Sequence, residues 1–119
     1  MAGVVHIPWY ANGLRHHKLA DALAGIAPIA LRYGATSYAV YRSRDDLYKF
    51  LQLAEFENKQ DWERYWNGPE FIDFRVLTSS WYQVPVLYVW NDVVVRGTLE
   101  GEPVNGQVAS DVPSGELAG

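Results

Sequence analysis

A strand-like stretch, residues 48–56, constrains the fold most, because both of its alternating faces carry apolar side chains. Successive side chains of a β-strand point to opposite faces of the sheet, so a solvent-facing side would show as a polar residue at every second position. Neither side is consistently polar here, and we expect other parts of the protein to cover both. The two sets are Tyr48, Phe50, Gln52, Ala54 and Phe56 on one face, and Lys49, Leu51, Leu53 and Glu55 on the other.

The size of the chain limits how that cover can be supplied. Its 119 residues, 49% of them hydrophobic, suffice for one packed core but not for two. There is no cysteine, which excludes disulfides, thiolate metal sites and a cysteine nucleophile. No apolar run reaches the roughly 18 residues of a membrane span, and the N-terminus lacks the pattern of a secretory signal, so we expect a cytoplasmic protein without membrane contact.

Charge divides the chain into two parts. All ten Lys and Arg lie at or before Arg96, whereas four acids follow it and account for the net charge of −4. We predict a folded domain over residues 1–96 and a flexible acidic tail over 97–119, which is either a linker or a docking peptide for a protein partner. The domain has no clustered basic face, so we expect no nucleic-acid partner. The four acids are Glu100, Glu102, Asp111 and Glu116.

Apolar periodicity and turn residues predict the element order βαββαβ. Apolar residues recur every three or four positions between residues 14 and 33, which is the spacing of one helix face. The last strand is predicted from alternation over residues 81–91. The predicted elements are a strand at Val4–Tyr10, a helix at 14–33 closed by Gly34, a hairpin of strands 35–43 and 48–56, a helix that begins near Asn58 or Asp61 and stops at Gly68, a helical piece at 70–76, and the final strand.

Two prolines interrupt these patterns. Pro28 lies inside the first helix, where it removes a backbone hydrogen bond, so we expect a kink or a break into two shorter helices. Pro8 lies in the first strand, which is central in this order, and proline there loses a ladder bond. A bulge or an unpaired stretch is therefore expected near Pro8.

The element order and the stretch FENKQDWERYWNGPEF, residues 56–71, resemble the dimeric α+β barrel superfamily, which includes antibiotic-biosynthesis-monooxygenase-like and EthD-like proteins. The resemblance covers about residues 4–91. It implies an α+β, ferredoxin-like fold with a four-stranded antiparallel sheet, paired face to face with a second copy as a dimeric barrel. It also implies a pocket between the sheet and the helices of each subunit.

Three residues are candidates for catalysis. His6 is the histidine in a predicted strand, and a side chain that titrates near neutral pH can act as a general base if it faces an enclosed cavity. Tyr41 and Gln52 lie in the middle of predicted strands, where a buried hydroxyl or amide needs a partner that a small polar ligand can supply. For all three the alternative is an ordinary packed or edge residue that bonds to other side chains or water.

Four residues are candidates for a ligand pocket. Trp62 and Trp66 share one helix face and suit a flat aromatic ligand, although such pairs are more often core. Tyr88 adds a hydroxyl from the last strand. Asn12 resembles the asparagine with which some oxygenases of this superfamily orient substrate, but capping of the following helix explains it equally well, and we favour the cap.

These observations predict a small-molecule-binding dimeric α+β barrel protein, with a cofactor-independent monooxygenase acting on an aromatic compound as its enzymatic form. The alternative is a non-catalytic dimerisation or assembly module whose pocket is filled by its own Trp and Tyr side chains. We expect no cofactor and no metal, because no phosphate loop or metal-spaced cluster is present. His16 and His17 are adjacent and do not share a helix face, so they do not suggest a metal site.

Overall fold

A computed structural model describes residues 2–99 and shows four strands and three α-helices. The sheet is antiparallel with strand order β2-β3-β1-β4. This is the predicted ferredoxin-like α+β arrangement, and the prediction is confirmed. The elements are β1 (Gly3–Tyr10), α1 (His16–Ile26), β2 (Ala35–Arg42), β3 (Lys49–Phe56), α2 (Lys59–Trp66), α3 (Pro69–Leu77) and β4 (Val89–Asp92).

One face of the sheet packs against the helices and forms the core. Side chains of β1 and β3 alternate strictly, so that every second residue is buried under the helices while its neighbours point away. The register pairs Val5 with Ala54, Ile7 with Gln52 and Trp9 with Phe50, which brings the buried residues of the two central strands side by side. From the helices come Leu19, Leu23, Ile26, Trp62, Tyr65, Phe71 and Phe74.

The opposite side, called the open face here, is covered within residues 2–99 only at one end, by the segment after β4. Its centre is mostly apolar, with His6 as the polar exception: His6 pairs with Leu53 and Pro8 with Leu51, while Tyr41 lies across from Leu51 on the other side of β3. Tyr41 is 58% exposed. The open face consists of Val4, His6, Pro8 and Tyr10 of β1, Ser37, Ala39 and Tyr41 of β2, Lys49, Leu51, Leu53 and Glu55 of β3, and Val89 and Asn91 of β4.

The first predicted helix is broken into two shorter helices, which was one of the two alternatives expected from Pro28; the other was a kink. α1 ends at Ile26, and residues Ala27–Tyr33 continue as a 3-10 helix with Pro28 in its first turn, so the α-helical pattern stops just before the residue that lacks an N–H. Gly34 then closes the segment with φ of 102°. That left-handed conformation favours glycine.

The α2–α3 corner forms where the sequence placed it. Asn58 caps α2, because its Oδ1 accepts a hydrogen bond from the Asp61 backbone N–H at 2.9 Å. Gly68 precedes α3 and Pro69 opens it, so the helix axis turns between Trp66 and Pro69. The turn places the aromatic residues of both helices over the same part of the sheet.

The last strand is much shorter than predicted, and the prediction of a strand over residues 81–91 was wrong for its first half. Only Val89–Asp92 form β4, while Tyr82 makes a single bridge to Ala11. Pro85 has no N–H to give to a ladder, which explains why alternation alone was misleading. Residues 83–88 therefore run without regular structure and carry Tyr88 toward the helices.

The shortness of β4 also explains why the central strand β1 tolerates a proline at position 8. β4 pairs with β1 only from Gly3 to His6, and the next contact on that side is the Gln83 N–H donating to the Tyr10 carbonyl at 2.8 Å. Backbone groups two residues apart point the same way along a strand, so Pro8 turns its missing donor toward this gap. The gap is the unpaired stretch that the sequence predicted.

After β4 the chain turns back across one end of the open face. The Arg96 guanidinium pairs with the Glu55 carboxylate of β3. Residues 97–99 are exposed and lack regular structure, and the rest of the predicted tail, residues 100–119, lies outside the described residues. Within residues 2–99 no helix combines the length and hydropathy that a membrane crossing needs.

Candidate ligand site

The centre of the layer between sheet and helices is closed by a hydrogen-bonded network. The Trp9 indole N–H donates to Gln52 Oε1 at 3.0 Å, and the Gln52 amide donates to the Tyr65 hydroxyl at 3.3 Å. The Tyr65 hydroxyl in turn donates to the Ile26 carbonyl at 2.6 Å. All three side chains are buried, so this polar network is satisfied from within the protein. We call these three residues the buried network.

Beside it lies a second group of rings, which we call the aromatic cluster: Trp62, Trp66 and Tyr88. The Trp62 and Trp66 rings are 5.3 Å apart, and the Tyr88 ring lies edge-on to Trp62 at 4.8 Å and 5.4 Å from Trp66. α2 contributes both tryptophans because their four-residue spacing puts them on one helix face. Tyr88 comes from the irregular segment before β4 and remains 36% exposed.

The Trp62 side chain is the anomaly of this region. It is fully buried, yet its indole N–H has no hydrogen-bond partner among the described residues. Leaving a buried donor unpaired costs about 1–3 kcal/mol, so such groups are uncommon in stable cores. An acceptor brought by a bound molecule would remove that cost.

Arg75 of α3 supplies positive charge beside the cluster. Its guanidinium lies 4.0 Å from the Trp66 ring centroid and 5.2 Å from that of Phe71, and it donates to the Trp66 carbonyl at 2.9 Å. Neither of the two ion pairs found within residues 2–99 involves it. Burial lowers the pKa of Arg75 from its ordinary value, but a guanidinium remains charged at neutral pH.

Sequence reasoning missed Arg75, although a signal was present. It is the basic residue within the run FIDFRVL of α3, in which Asp73 is the other charged residue, and a cation beside so many apolar side chains must either reach solvent or lie against aromatic rings. The angle of the turn at Gly68 determines whether the guanidinium reaches solvent or lies against the rings, and that angle cannot be predicted from the sequence.

The candidate catalytic residues His6, Tyr41 and Gln52 do not come together. Gln52 belongs to the buried network, whereas His6 and Tyr41 lie on the open face. The condition set for His6 as a general base, an enclosed cavity, is not met in the single chain: Val5 and Ile7 take the buried positions of β1, so His6 between them points to the opposite side and is exposed.

Of the candidate pocket residues, Asn12 stands apart. Its side chain makes no capping bond at the helical turn that follows, so the favoured cap was wrong. The Asn12 amide N–H group donates instead to the carbonyls of Ser80 at 3.2 Å and Tyr82 at 3.0 Å. Asn12 thus ties the end of β1 to the loop after α3, while the rings of Trp62, Trp66 and Tyr88 lie in contact. That these three residues line a ligand pocket remains a prediction.

A groove of about 410 Å³ lies on the other side of the sheet. It forms where the segment after β4 crosses the open face, and its polar side chains include His6, Glu55, Asn91 and Arg96. Asn91 donates to the Val4 carbonyl at 3.1 Å, which holds β4 to the edge of β1. Within residues 2–99 no group of three or more His, Cys, Asp or Glu side chains is placed to hold a metal ion.

Comparison with known proteins gives likenesses of structure alone. No protein-family model and no curated protein matches the sequence. Rv0793 from Mycobacterium tuberculosis superposes with a TM-score of 0.72 at 13% identity, covering 82% of this chain and 100% of its own. A structure named antibiotic biosynthesis monooxygenase gives 0.69 at 11% identity, covering 80% and 100%.

A third likeness is to a variant of SnoaB, a cofactor-independent oxygenase from Streptomyces nogalater, with a TM-score of 0.66 at 15% identity, covering 82% of this chain and 96% of its own. At such identities the likeness is one of fold. The protein therefore has the ferredoxin-like α+β fold of antibiotic-biosynthesis-monooxygenase-like proteins, and the resemblance is confirmed for the fold of the single chain. The pairing with a second copy remains a prediction.

Proposed function

We propose that the protein binds a flat, anionic aromatic molecule at the aromatic cluster and oxygenates it without a cofactor. The observation that carries this proposal is the buried Trp62 N–H without a partner. A phenolate or enolate oxygen is a strong acceptor for that donor, and its ring is suited to stack on tryptophan.

The positive charge of Arg75 narrows the ligand class further. A partly buried guanidinium stabilises a nearby anion more than solvent-exposed charge does, because fewer water molecules screen the pair. The pKa of a bound phenol or enol therefore falls, and the ligand loses its proton to water without a dedicated base. His6, on the other side of the sheet, is not needed for that step.

The reaction class follows from electron balance. When O₂ converts a ring CH₂ group into C=O, one oxygen atom enters the product and the other leaves as water, and the substrate supplies all four electrons. Such a substrate is electron-rich and easily deprotonated, as hydroxylated polycyclic aromatics are. The names of two proteins of the same fold, one an antibiotic biosynthesis monooxygenase and one a cofactor-independent oxygenase, support this choice.

Ligand access requires that one wall of the cluster move. Tyr88 is suited to this because it lies in the irregular segment between Gln83 and Val89 and is already partly exposed. Trp62 and Trp66, in contrast, are fixed by α2. We propose that Tyr88 swings outward and that the ligand ring takes its place against Trp62.

Binding and turnover can be tested with a panel of hydroxylated polycyclic aromatics. Calorimetry is expected to show binding that weakens about tenfold in Trp62→Phe, since one hydrogen bond to a charged acceptor is lost. Trp81→Phe is the matched control, because Trp81 lies outside the cluster, and its affinity should be unchanged. Oxygen consumption by the wild type in the presence of a metal chelator, and its loss in Arg75→Gln, would support the oxygenase step. Equal affinities in the two tryptophan variants would contradict the assigned site.

We also propose that two copies pair through their open faces. The face carries exposed apolar side chains, with Tyr41 58% and Val89 53% exposed, and an apolar sheet face does not remain in water. Two identical apolar faces related by a two-fold axis can cover each other without any other partner, which favours a second copy of this chain as the occupant.

Sedimentation equilibrium tests the pairing. The wild type is expected to be dimeric, and Leu53→Lys, which puts a charge in the centre of the open face, is expected to be monomeric. Leu31→Lys is the matched control, since Leu31 is exposed on the 3-10 helix, away from the open face. A dimer that persists in Leu53→Lys would overturn the assignment.

A non-catalytic assembly module is the second candidate. The buried network favours it, because Trp9, Gln52 and Tyr65 fill the centre of the layer with mutually bonded side chains. In that case pairing through the open face is the whole function. Dimers that neither bind the aromatic panel nor consume oxygen in its presence would decide for this candidate.

A further inference from the structure

Three cationic or imidazole side chains converge at the end of the sheet where β1 stops. His16 and His17 begin α1, and their rings are 4.1 Å apart. Arg42, at the end of β2, donates from Nη2 to His16 Nδ1. We call these three residues the cationic cluster. It belongs to neither the aromatic cluster nor the open face.

The guanidinium of Arg42 is held in place. Its Nε donates to the Leu47 carbonyl at 2.8 Å, and its Cζ lies 5.1 Å from the Phe50 ring centroid. Because arginine is always protonated and donates to His16 Nδ1, that imidazole is neutral and keeps its N–H on Nε2. The position of the cluster is thus set by the hairpin turn and by the first turn of α1.

No acid balances this charge among the described residues. Neither ion pair of residues 2–99 includes Arg42. Asp46 of the neighbouring turn accepts from the Tyr10 hydroxyl at 2.7 Å and from the Tyr48 N–H at 3.1 Å. Among the influences on His16 are the like charges of His17 and Arg42, and no carboxylate.

We infer that the cationic cluster is a binding site for a tetrahedral oxyanion of the phosphate type, free or as part of a small phosphorylated ligand. A guanidinium and two imidazoles offer N–H donors from two directions, which suits an acceptor with oxygens on several sides. A carboxylate presents its two oxygens in one plane and satisfies fewer of these donors. The inference does not depend on the function proposed for the aromatic cluster.

The protonation of His16 should be coupled to the bound anion. Burial first, then His17 and Arg42, lower the pKa of His16, so the imidazole is neutral at pH 7 in the free protein. The other groups nearby are the Tyr48 ring at 4.7 Å and, beyond it, the Tyr10–Asp46 pair. A dianion would raise the pKa of His16, so binding takes up a proton and strengthens as the pH falls. The proton goes to Nδ1, so Arg42 Nη2 gives up that acceptor and donates to the anion instead.

Histidine side-chain NMR spectra test the site with inorganic phosphate at pH 7. The expected result is a saturable shift of the His16 and His17 signals with no shift of His6, the remaining histidine, which lies on the open face. Sulfate, which stays a dianion as the pH is lowered, should bind more tightly at lower pH. Acetate that binds as tightly as phosphate, or a His6 shift in step with His16, would overturn the inference.

Variants give the second arm of the test. Arg42→Gln is expected to weaken phosphate binding at least about tenfold, because a charge-assisted bond is lost. His17→Gln, at an exposed position with little influence on folding, should weaken it about threefold. Arg32→Gln is the matched control on the 3-10 helix and should leave the affinity unchanged. Similar losses in Arg32→Gln and His17→Gln would mean nonspecific attraction and would contradict a built site.

Discussion

Trp9 and Trp62 are both fully buried in the layer between sheet and helices, yet their indole N–H groups differ. That of Trp9 is bonded to Gln52, and the bond continues through Tyr65 to the backbone of α1. That of Trp62 has no partner within residues 2–99. Two equally buried tryptophans thus differ in one respect: the N–H of Trp9 has a hydrogen-bond acceptor, and that of Trp62 has none among the described residues.

The difference separates stability from function. A satisfied buried network rigidifies the region it crosses, and its parts depend on one another. An unsatisfied donor lowers stability, and it persists only where something else depends on it. The buried network is therefore expected to control folding, and the aromatic cluster to control binding.

The largest expected effect is that of Trp9→Phe. The smaller ring leaves the Gln52 oxygen buried without a donor and leaves a void beside Phe74 and Tyr82, which contact Trp9 edge-on. The free energy of unfolding should fall by about 2–4 kcal/mol. Urea denaturation measures it, and a loss below that seen in Trp62→Phe would break the comparison.

Gln52→Leu is expected to have the next largest effect. It keeps the volume of the side chain but removes the acceptor of the Trp9 N–H, and a second buried indole then lacks a partner. Stability should fall by about 1–3 kcal/mol. Gln52→Glu would keep an acceptor for Trp9 but bring a charge into the core, so it should be less stable still at pH 7. A neutral Gln52→Leu change would mean that the network contributes nothing.

Tyr65 makes the stability of the protein depend on pH in the alkaline range. Burial raises the pKa of its hydroxyl far above the ordinary value, and the Gln52 bond offsets only part of that rise. Because the folded-state pKa is the higher one, the stability is complete below about pH 10 and falls above it, by up to about 1.4 kcal/mol per pH unit. Denaturation at about pH 9 and 11 should show a smaller fall in Tyr65→Phe. An unchanged slope would exclude Tyr65 as its source.

The smallest change in stability is expected for Trp62→Phe. The variant removes an unpaired donor, which stabilises, but it leaves a void and loses ring contacts with Trp66 and Tyr88, which destabilises. The two effects should cancel to within about 1 kcal/mol. The same variant should nevertheless lose the most in ligand affinity. Thermal unfolding with and without ligand measures both quantities on one sample.

The fold was predictable because it depends on local patterns. The two-residue alternation in β3, the helix start at Asn58, one of the two positions expected for it, and the Gly68-Pro69 corner each act over a few positions, and each formed. The alternation over residues 81–91 failed because it is indifferent to Pro85. A pattern of side chains does not report whether a backbone donor is available to the ladder.

The site was only partly predictable, for a different reason. The spacing of Trp62 and Trp66 along α2 revealed their shared face, but which partner each polar atom finds depends on the packing of distant elements. Gln52 and His6 were both candidate catalytic residues in predicted strands. The structure places Gln52 on the buried face of the sheet and His6 on the open face, a difference that the sequence did not reveal. Arg75 was missed because its neighbour Trp66 lies across a turn.

The segment before β4, residues 83–88, does not pair with β1 as a strand, and this affects the aromatic cluster as well as the sheet. Continuing the register by one residue past His6–Val89 would place Tyr88 opposite Ile7, fixed by ladder bonds. Instead, residues 83–88 belong to no strand, so substitutions or length changes there alter what lies over Trp62 while the four-stranded scaffold stays intact. In chains of this fold, changes at those six positions alone are expected to alter which ligand binds and to leave the stability of the sheet nearly unchanged.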